Sequence, residues 1–569
     1  MTGIVYDWTA RERGSHDWRL LPAAACGWAA SLATHAGFDY CMAHNGTLGM
    51  LPIAAVCAVP AMATLAMLFL RLPCRISKLC LIWHSGIMVC VLAAVSCSVC
   101  ALAYDLMQWR DPASRAATEG AVVIADVDMI SPMINSDRRS ADCQADARVT
   151  SIIVDGVRRN SMVQARVYVQ QPDCDLLRQG GSYVVSGAIS AAEYGAMPLW
   201  LDDVTAVERT RSPSPPLRMI DTMQRAFFAQ TSKLSDQGKV LVPGLTLGIL
   251  GQDHVPSEGT TDIDPTYAGQ VEDAFRRSGI VHLMAVSGGH LAVVAALVRA
   301  ICSFFLIPRR LTAVMVAIAY IALATCVFPS DSVSRALFMG LSGAVCLFLG
   351  RRGQAMASLG WTTLAMLMLR PQMSQSYGFA LSCAAVLGLV LFSRTLSTWL
   401  EPVMPRIIAE TMAMTVSAQV FTLPIQVLLE PELPVFSVPA NLVVAPVVNF
   451  STLAGLAGLS ISWLIPPLGL MLVRIASWGT AVMELVSLSL GSGDHATIPW
   501  TGGAGGVLLI CGVEAACMIA AYASRRLFRR MLVQERDMPG ERMIVNPMER
   551  LRMWAERTRK ALHGMTWER

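Results

Sequence analysis

Long stretches almost free of charge alternate along this chain with short clusters of Arg and Lys, and that pattern restricts its fold more than any other feature. A helix needs about 17–25 mainly apolar residues to cross the hydrocarbon core of a bilayer. Stretches of roughly that length lie at 20–37, 48–70, 79–104, 281–303, 311–328, 335–350, 354–370, 376–394, 407–428, 435–464, 467–490 and 502–523. In lipid, every backbone N–H and C=O must be satisfied without water, so such stretches fold as helices. The expectation is a polytopic α-helical membrane protein of about twelve spans. Composition agrees, because only 15% of the residues are charged, against about 25% in ordinary soluble domains. That is too little charge to cover the surfaces of a soluble chain of 569 residues. A disordered chain, a basic soluble DNA-binding protein and a typical cytosolic enzyme are excluded.

The charge that exists is concentrated. Between Asp111 and Arg211 stand fourteen acidic and ten basic residues, and between Arg525 and Arg569 twelve basic and six acidic ones. The first apolar run follows a mixed leader (Arg11, Glu12, Arg13, Asp17, Arg19) without a convincing cleavage site, so it reads as a span. Arg71, Arg75 and Lys78, then Arg309 and Arg310, Arg351 and Arg352, Arg394 and Arg406, and the basic tail all fall on one side if three spans precede residue 105 and nine follow residue 280. Positive loops face the cytoplasm. The expected location is the cytoplasmic membrane, multi-pass, with both termini cytoplasmic and 105–279 mainly outside. The chain then divides into an N-terminal membrane region (1–110), an extracytoplasmic β domain (111–212), an amphipathic connector (213–279), a membrane core (280–523) and a basic cytoplasmic tail (524–569).

The exterior segment reads as β structure. Short alternating or β-branched runs recur at Ala121–Val127, Arg148–Val154, Met162–Val169, Ser182–Ile189 and Leu199–Val207, separated by Gly and Pro turn signals. Five short strands in so few residues suit a small barrel of the OB type, with a small sandwich as the alternative. Cys143 and Cys174 are the cysteines of this segment, and an oxidising exterior permits a bridge between them. OB folds often bind single strands through basic grooves and stacking aromatics. Arg158, Arg159, Arg166 and Tyr168 could make such contacts. The net negative charge of the segment favours a rigid cap or assembly surface equally. In the connector, Leu217, Ile220, Met223, Phe227 and Phe228 space an amphipathic helix, either on the membrane surface or packed against the core.

Polar residues inside apolar runs are costly unless partnered or hydrated, and are the first place to look for function. One group is His282-Leu-Met-Ala-Val-Ser287-Gly288-Gly289-His290, in which His290 falls on the same helix face as Ser287. A second is Pro329-Ser330-Asp331-Ser332-Val333-Ser334-Arg335. Here Asp331 and Arg335 could pair along a helix, and the helix N-terminus offers free N–H groups to an anion. A third group, Pro424, Pro434, Pro439, Asn441, Pro446 and Asn449, implies broken helices, which often mark transport sites. No Gly-x-x-x-x-Gly-Lys-Ser/Thr motif is present, and no His-x-His or His-Glu-x-x-His. Cys97 and Cys100 have C-x-x-C spacing inside a span, without a second ligand pair, so neither metal nor cofactor is expected.

These segments carry a resemblance. His282 to His290 resembles the H-L-x-A-[VI]-S-G-x-H signature of the ComEC/Rec2 competence family. Ser334-Arg335-Ala-Leu-Phe-Met339 is similar to its R-A-x-x-M segment, and Gln375 to Gly388 to its S-x-G-F-Q-L-S-F-x-A-V-x-G segment, with Ala380 in place of Gln. Thr422-Leu-Pro424 and Pro439-Ala-Asn441 through Pro446 resemble its T-L-P and A-N-L-x-x-x-P elements. The resemblance implies a channel that passes single-stranded DNA across the membrane during natural transformation. It places Ser287, Gly288, His290, Asp331, Arg335, Asn441 and Asn449 along the DNA path. Its implied partners are single-stranded DNA, the bilayer and other competence proteins (a DNA receptor, a cytoplasmic helicase, a separate nuclease), and a homo-oligomer is an option. No zinc motif of the metallo-β-lactamase-like nuclease domain follows the last span, so the expectation is a short form that is not an enzyme. The alternatives are a channel or permease for another solute, and a membrane-embedded enzyme using His290 and Ser287.

Overall fold

In a computed structural model the described residues are 18–44 and 78–534, except 139, 155, 172, 196, 256–262 and 352. The expected span 48–70 and most of the basic tail lie outside them. The described residues form two compact units, one from those up to 383 with 434–496, the other from 384–433 with those from 497 onward.

The first unit begins with two long helices, α1 (Leu20–His44) and α2 (Lys78–Arg110). A short helix, α3 (Pro112–Thr118), follows at once. Asp111 makes the junction. Its carboxylate accepts from the N–H of Ala113 (2.8 Å), capping α3, and from the Ser161 hydroxyl (2.8 Å) and the Met162 N–H (3.0 Å) of the β domain. One buried side chain thus satisfies an orphan donor of a helix and ties the helix to the sheet.

The strands are β1 (Val122–Met129), β2 (Ile134–Asn135), β3 (Cys143–Val154), β4 (Val157–Asn160), β5 (Gln164–Val169), β6 (Ser182–Ala191) and β7 (Leu199–Arg211). Pairing runs β1-β6-β7-β5-β3 and returns to β1, so the sheet closes on itself as a small barrel. All pairs in this ring are antiparallel except β5 with β7. Alternation decides the inside: Val123, Ala125 and Val127 of β1 and Tyr183, Val185 and Ile189 of β6 are buried. Closure leaves no edge among the five ring strands. Cys143 and Cys174 lie at disulfide distance, with Cα atoms 6.1 Å apart.

The connector is less of a surface feature than its composition implies. Helix α4 (Pro215–Thr231) does carry an amphipathic pattern, but Phe227 and Phe228 are buried against protein, in a cluster with Val242, Leu247 and Val473. Helix α5 (Asp236–Leu247) is buried over most of its length, from Val240 to Leu247. A further helix, α6 (Pro265–Arg277), buries Val271 and Phe275.

Beyond it run α7 (Gly288–Phe304), α8 (Arg309–Cys326), α9 (Asp331–Leu349), α10 (Ala355–Leu369) and α11 (Tyr377–Leu400). Then come α12 (Arg406–Leu429), α13 (Ser437–Ile461), α14 (Pro466–Gly491) and α15 (Gly503–Gln534), with short strands β8 (Glu432–Pro434) and β9 (Thr497–Pro499). Among the described residues, eight helices are long and apolar enough to cross a membrane, and α7 and α10 are shorter apolar helices. The chain is a membrane protein with a closed β domain.

The expectation of broken helices at the prolines is corrected. Pro424 and Pro446 sit inside continuous helices. Each removes one hydrogen bond, which a long packed helix can absorb by bending. Pro439 is in the first turn of α13, where its missing N–H would lack a partner anyway. Pro434 is in β8, outside any helix. The irregular backbone is elsewhere: a 3₁₀ turn at Val281–Met284 stands where a span was expected to begin, and α11 contains a π-helical turn at Leu389–Ser393. In the first unit α13 packs tightly on α14, with Gly479 facing Ser451 and Gly458 facing Val473. Small residues of this kind let membrane helices approach closely. In the second unit Gly388 lies against the backbone of Ser417 on α12.

Candidate functional site

Three helix ends meet around the first of the sequence motifs. Ser287 is the N-cap of α7, and its Oγ accepts from the Gly289 N–H at 3.3 Å. His290 completes a capping box: its Nδ1 accepts from the Ser287 N–H at 3.2 Å. Its Nε2 faces the carbonyl oxygen of Leu245, 3.0 Å away. A carbonyl only accepts, so the proton is on Nε2, and Nδ1 is the acceptor. His290 is therefore buried as the neutral Nε2–H tautomer. It joins the start of α7 to the last turn of α5, whose carbonyls have no partner within their own helix. Nearby, the Leu247 carbonyl accepts from the Phe328 N–H at 3.0 Å, just ahead of α9.

At the head of α9, Ser330 caps by accepting from the Val333 N–H. The intrahelical pair open to Asp331 and Arg335 does not form. Asp331 accepts instead from the Ser376 hydroxyl, and Ser376 in turn caps α11 through the Phe379 N–H at 3.0 Å. Ser332 and Ser382 hydroxyls lie 3.2 Å apart. Arg335 donates from Nε to the Ser382 Oγ at 2.6 Å and from Nη1 to the Met339 sulfur at 3.1 Å. Only 4% of Arg335 is exposed. Among the described residues no carboxylate lies within ion-pair distance of it. A buried guanidinium without a counter-ion is expensive, so its retention calls for an explanation.

Ser287, Gly288, His290, Asp331 and Arg335 thus belong to neighbouring helix ends. Asn441 and Asn449 are not joined to them by hydrogen bonds. Asn441 donates to the Ser437 carbonyl of its own helix at 2.8 Å, and Asn449 is exposed on α13. Sequence inspection missed Ser376, Ser382 and Leu245 as partners. The two serines were visible as hydroxyls in an apolar run, but a carbonyl acceptor has no sequence signal. It also missed a polar pair in the first helices. His35 Nδ1 lies 2.8 and 2.9 Å from the two Asp105 oxygens, and Nε2 is 3.3 Å from the Pro371 carbonyl. Of that pair, His35 was legible as a His inside an expected span, whereas Asp105 stands one residue beyond the expected span 79–104. Cys97 packs with Ala23, Ala93 and Leu364.

In the β domain the candidate contacts are largely occupied. Arg158 pairs with Asp126 and donates from Nε to Ser151 at 3.1 Å. Arg166 pairs with Asp146 at 2.9 Å and Asp137 at 3.7 Å. The Tyr168 ring is buried, and its hydroxyl donates to Asp137 at 3.2 Å. Burial, and then the Asp137 charge, push that phenol well above its ordinary range. Arg138 covers the Tyr168 and Trp200 rings, with its carbon 5.0 and 4.5 Å from their centroids, and pairs with Asp202. Arg159 is exposed on β4.

No curated protein and no solved structure matches the chain. A family model described as competence protein matches residues 266–526, a range that holds Ser287, His290, Asp331, Arg335, Ser376 and Ser382. Residues 266–526 of this membrane protein are a competence-protein domain of the ComEC/Rec2 type.

Proposed function

We propose that this protein passes one strand of DNA across the cytoplasmic membrane during natural transformation. The observation that carries this reading is Arg335: inside a competence-family domain, a cation is held among apolar helices with no carboxylate at ion-pair distance among the described residues. A strand of DNA carries one negative charge per nucleotide, and a bilayer excludes it. A buried, uncompensated guanidinium is the group such a cargo needs. Ser287, Gly288 and Asp331 stand beside it at the helix ends, with His290 as their tether. Asn441 and Asn449 are lesser candidates on α13.

The alternation of helices and basic loops supports an orientation with both termini in the cytoplasm. The first turns of α7, α9 and α11 then face outside, where DNA arrives. The ring order and the single parallel pair support an OB-type barrel for 122–211. Its occupied arginines and buried Tyr168 favour a folded cap or an assembly surface, for a receptor or a second copy, over a stacking groove. The membrane-enzyme reading gains no support, because Nδ1 of His290 is occupied by the Ser287 N–H and Nε2 already carries its proton.

Deleting the gene and measuring uptake of labelled transforming DNA tests the proposal. Loss of uptake is expected, and normal transformation in the deletion strain would sink it.

A further inference from the structure

We infer that the first turn of α7 and the guanidinium of Arg335 form one phosphate-sized anion site, which takes a single backbone phosphodiester of the strand. The inference rests on the DNA-transport reading and adds a ligand group and its donors. Ser287 begins α7, and a helix N-terminus presents N–H groups and a partial positive charge. The N–H of Gly288 is the first of that helix and has no intrahelical acceptor. The Gly289 N–H is instead taken by the Ser287 hydroxyl, at 3.3 Å, and stays outside the site. Gly288 lacks a side chain, so an anion can reach its backbone.

The second, independent observation is Arg335, reached from another helix. Its Nε is committed to Ser382 and its Nη1 to a weak sulfur acceptor, whereas Nη2 has no hydrogen-bond partner among the described residues. Nη2 points at the turn: a Cβ built on Gly288 would stand 3.6 Å from it. An oxygen between them could accept from Nη2 and from the Gly288 N–H at about 2.7–2.9 Å, as in charge-assisted bonds. The neighbouring carboxylate, Asp331, is turned to the Ser376 hydroxyl. The ligand is thus a phosphodiester monoanion, and DNA and a phospholipid headgroup both carry one.

The Gly288→Ala variant separates site from fold. Its new methyl would meet Arg335 Nη2 at 3.6 Å and the Ala336 Cβ at 3.9 Å, ordinary contacts, yet it would occupy the place of the oxygen. Gly289→Ala, which meets only the Ser287 Oγ at 3.4 Å, is the control. The full chain, in phosphatidylcholine nanodiscs, is titrated with a fluorescein-labelled oligothymidylate and with its uncharged methylphosphonate analogue, and anisotropy is read at several salt concentrations. Wild type should bind the charged strand and not the neutral one. Gly288→Ala and Arg335→Lys should each weaken binding about tenfold or more, the loss of one charge-assisted bond. Arg335→Met should reduce the slope of log K against log salt by about 0.7, one phosphate contact on a single strand. Gly289→Ala should stay within about twofold.

Unchanged binding in Gly288→Ala and Arg335→Lys overturns the site, as does equal binding of the neutral analogue. Phosphatidylglycerol nanodiscs form the lipid arm. If they abolish strand binding by wild type but not the residual binding of Arg335→Met, a headgroup is the occupant and the strand assignment falls. The two proposals fail separately. Gly288-dependent binding with normal transformation in a deletion strain keeps the site and removes the uptake reading. Loss of transformation on deletion, with Gly288→Ala binding and transporting normally, does the reverse.

Discussion

At the scale of single residues, two histidines show how partners set a role. His290 is clamped between a backbone donor and a backbone acceptor, so it works as a neutral tether. His290→Leu should leave the Leu245 carbonyl and the Ser287 N–H unpaired, at about 1–3 kcal/mol for each buried group. His290→Gln, which keeps an N–H for Leu245, should recover part of that loss. Thermal unfolding of the detergent-solubilised chain measures both. Equal stability of His290→Leu and wild type would contradict the tether.

His254 and Asp253 give a pH signature outside the membrane helices. Burial pushes Asp253 up to about 6 from 3.8, with Glu272 adding to the shift. Burial lowers His254 to about 4 from 6.5, where its ring stacks on Phe228. Between about pH 6 and 4 the folded chain holds a proton on Asp253 that the unfolded chain has released, so acidification there favours folding. Over about pH 6.5 to 4 the unfolded chain holds a proton on His254 that the folded chain lacks, so acidification there opposes folding. The two effects offset each other. Asp253→Asn removes the first and leaves the second. Its melting temperature should therefore fall more steeply than that of wild type between pH 6.5 and 4.5, and parallel curves would refute the assignment.

Among the elements, the helix pair α13–α14 depends on the absence of side chains. A Cβ on Gly479 would lie 1.7 Å from the Ser451 Oγ and 2.8 Å from a Val447 methyl. Gly479→Ala should destabilise the protein by about 1–3 kcal/mol, as overpacking does. Adding Ser451→Ala should restore part of that, which a double-mutant cycle in thermal stability would read. The elements also mark where sequence reading succeeded. The strands came out near their expected places because inward and outward residues alternate, as at Val123, Ala125 and Val127. The prolines misled, because propensity counts a missing bond and not the packing that tolerates it. Helix α5 was hidden inside a polar connector, since burial of Val240–Leu247 depends on α14 and on other distant segments.

For the whole molecule the testable matter is orientation. A phosphatase reporter active only outside the cytoplasm, inserted in the β6–β7 turn near Tyr194, should be active. A green fluorescent reporter after Arg569 should fluoresce. Silence of the first with activity of a phosphatase at the C-terminus would invert the proposed topology.

Read along the chain, the residues already specify a membrane protein, a β domain that interrupts its helices, and a core that resembles the competence family. Hydrophobic length, strand alternation and local motifs are properties of neighbouring residues, so they can be read along the chain. Packing in three dimensions selects the partners: Asp331 with Ser376 rather than Arg335, His290 with Leu245, Tyr168 buried beside Trp200 under Arg138, and Arg335 beside the first turn of α7 with no carboxylate at ion-pair distance among the described residues. Those choices join residues that are distant in sequence. They follow from how buried polar groups share the few partners that packing leaves within reach, which the order of residues alone does not state.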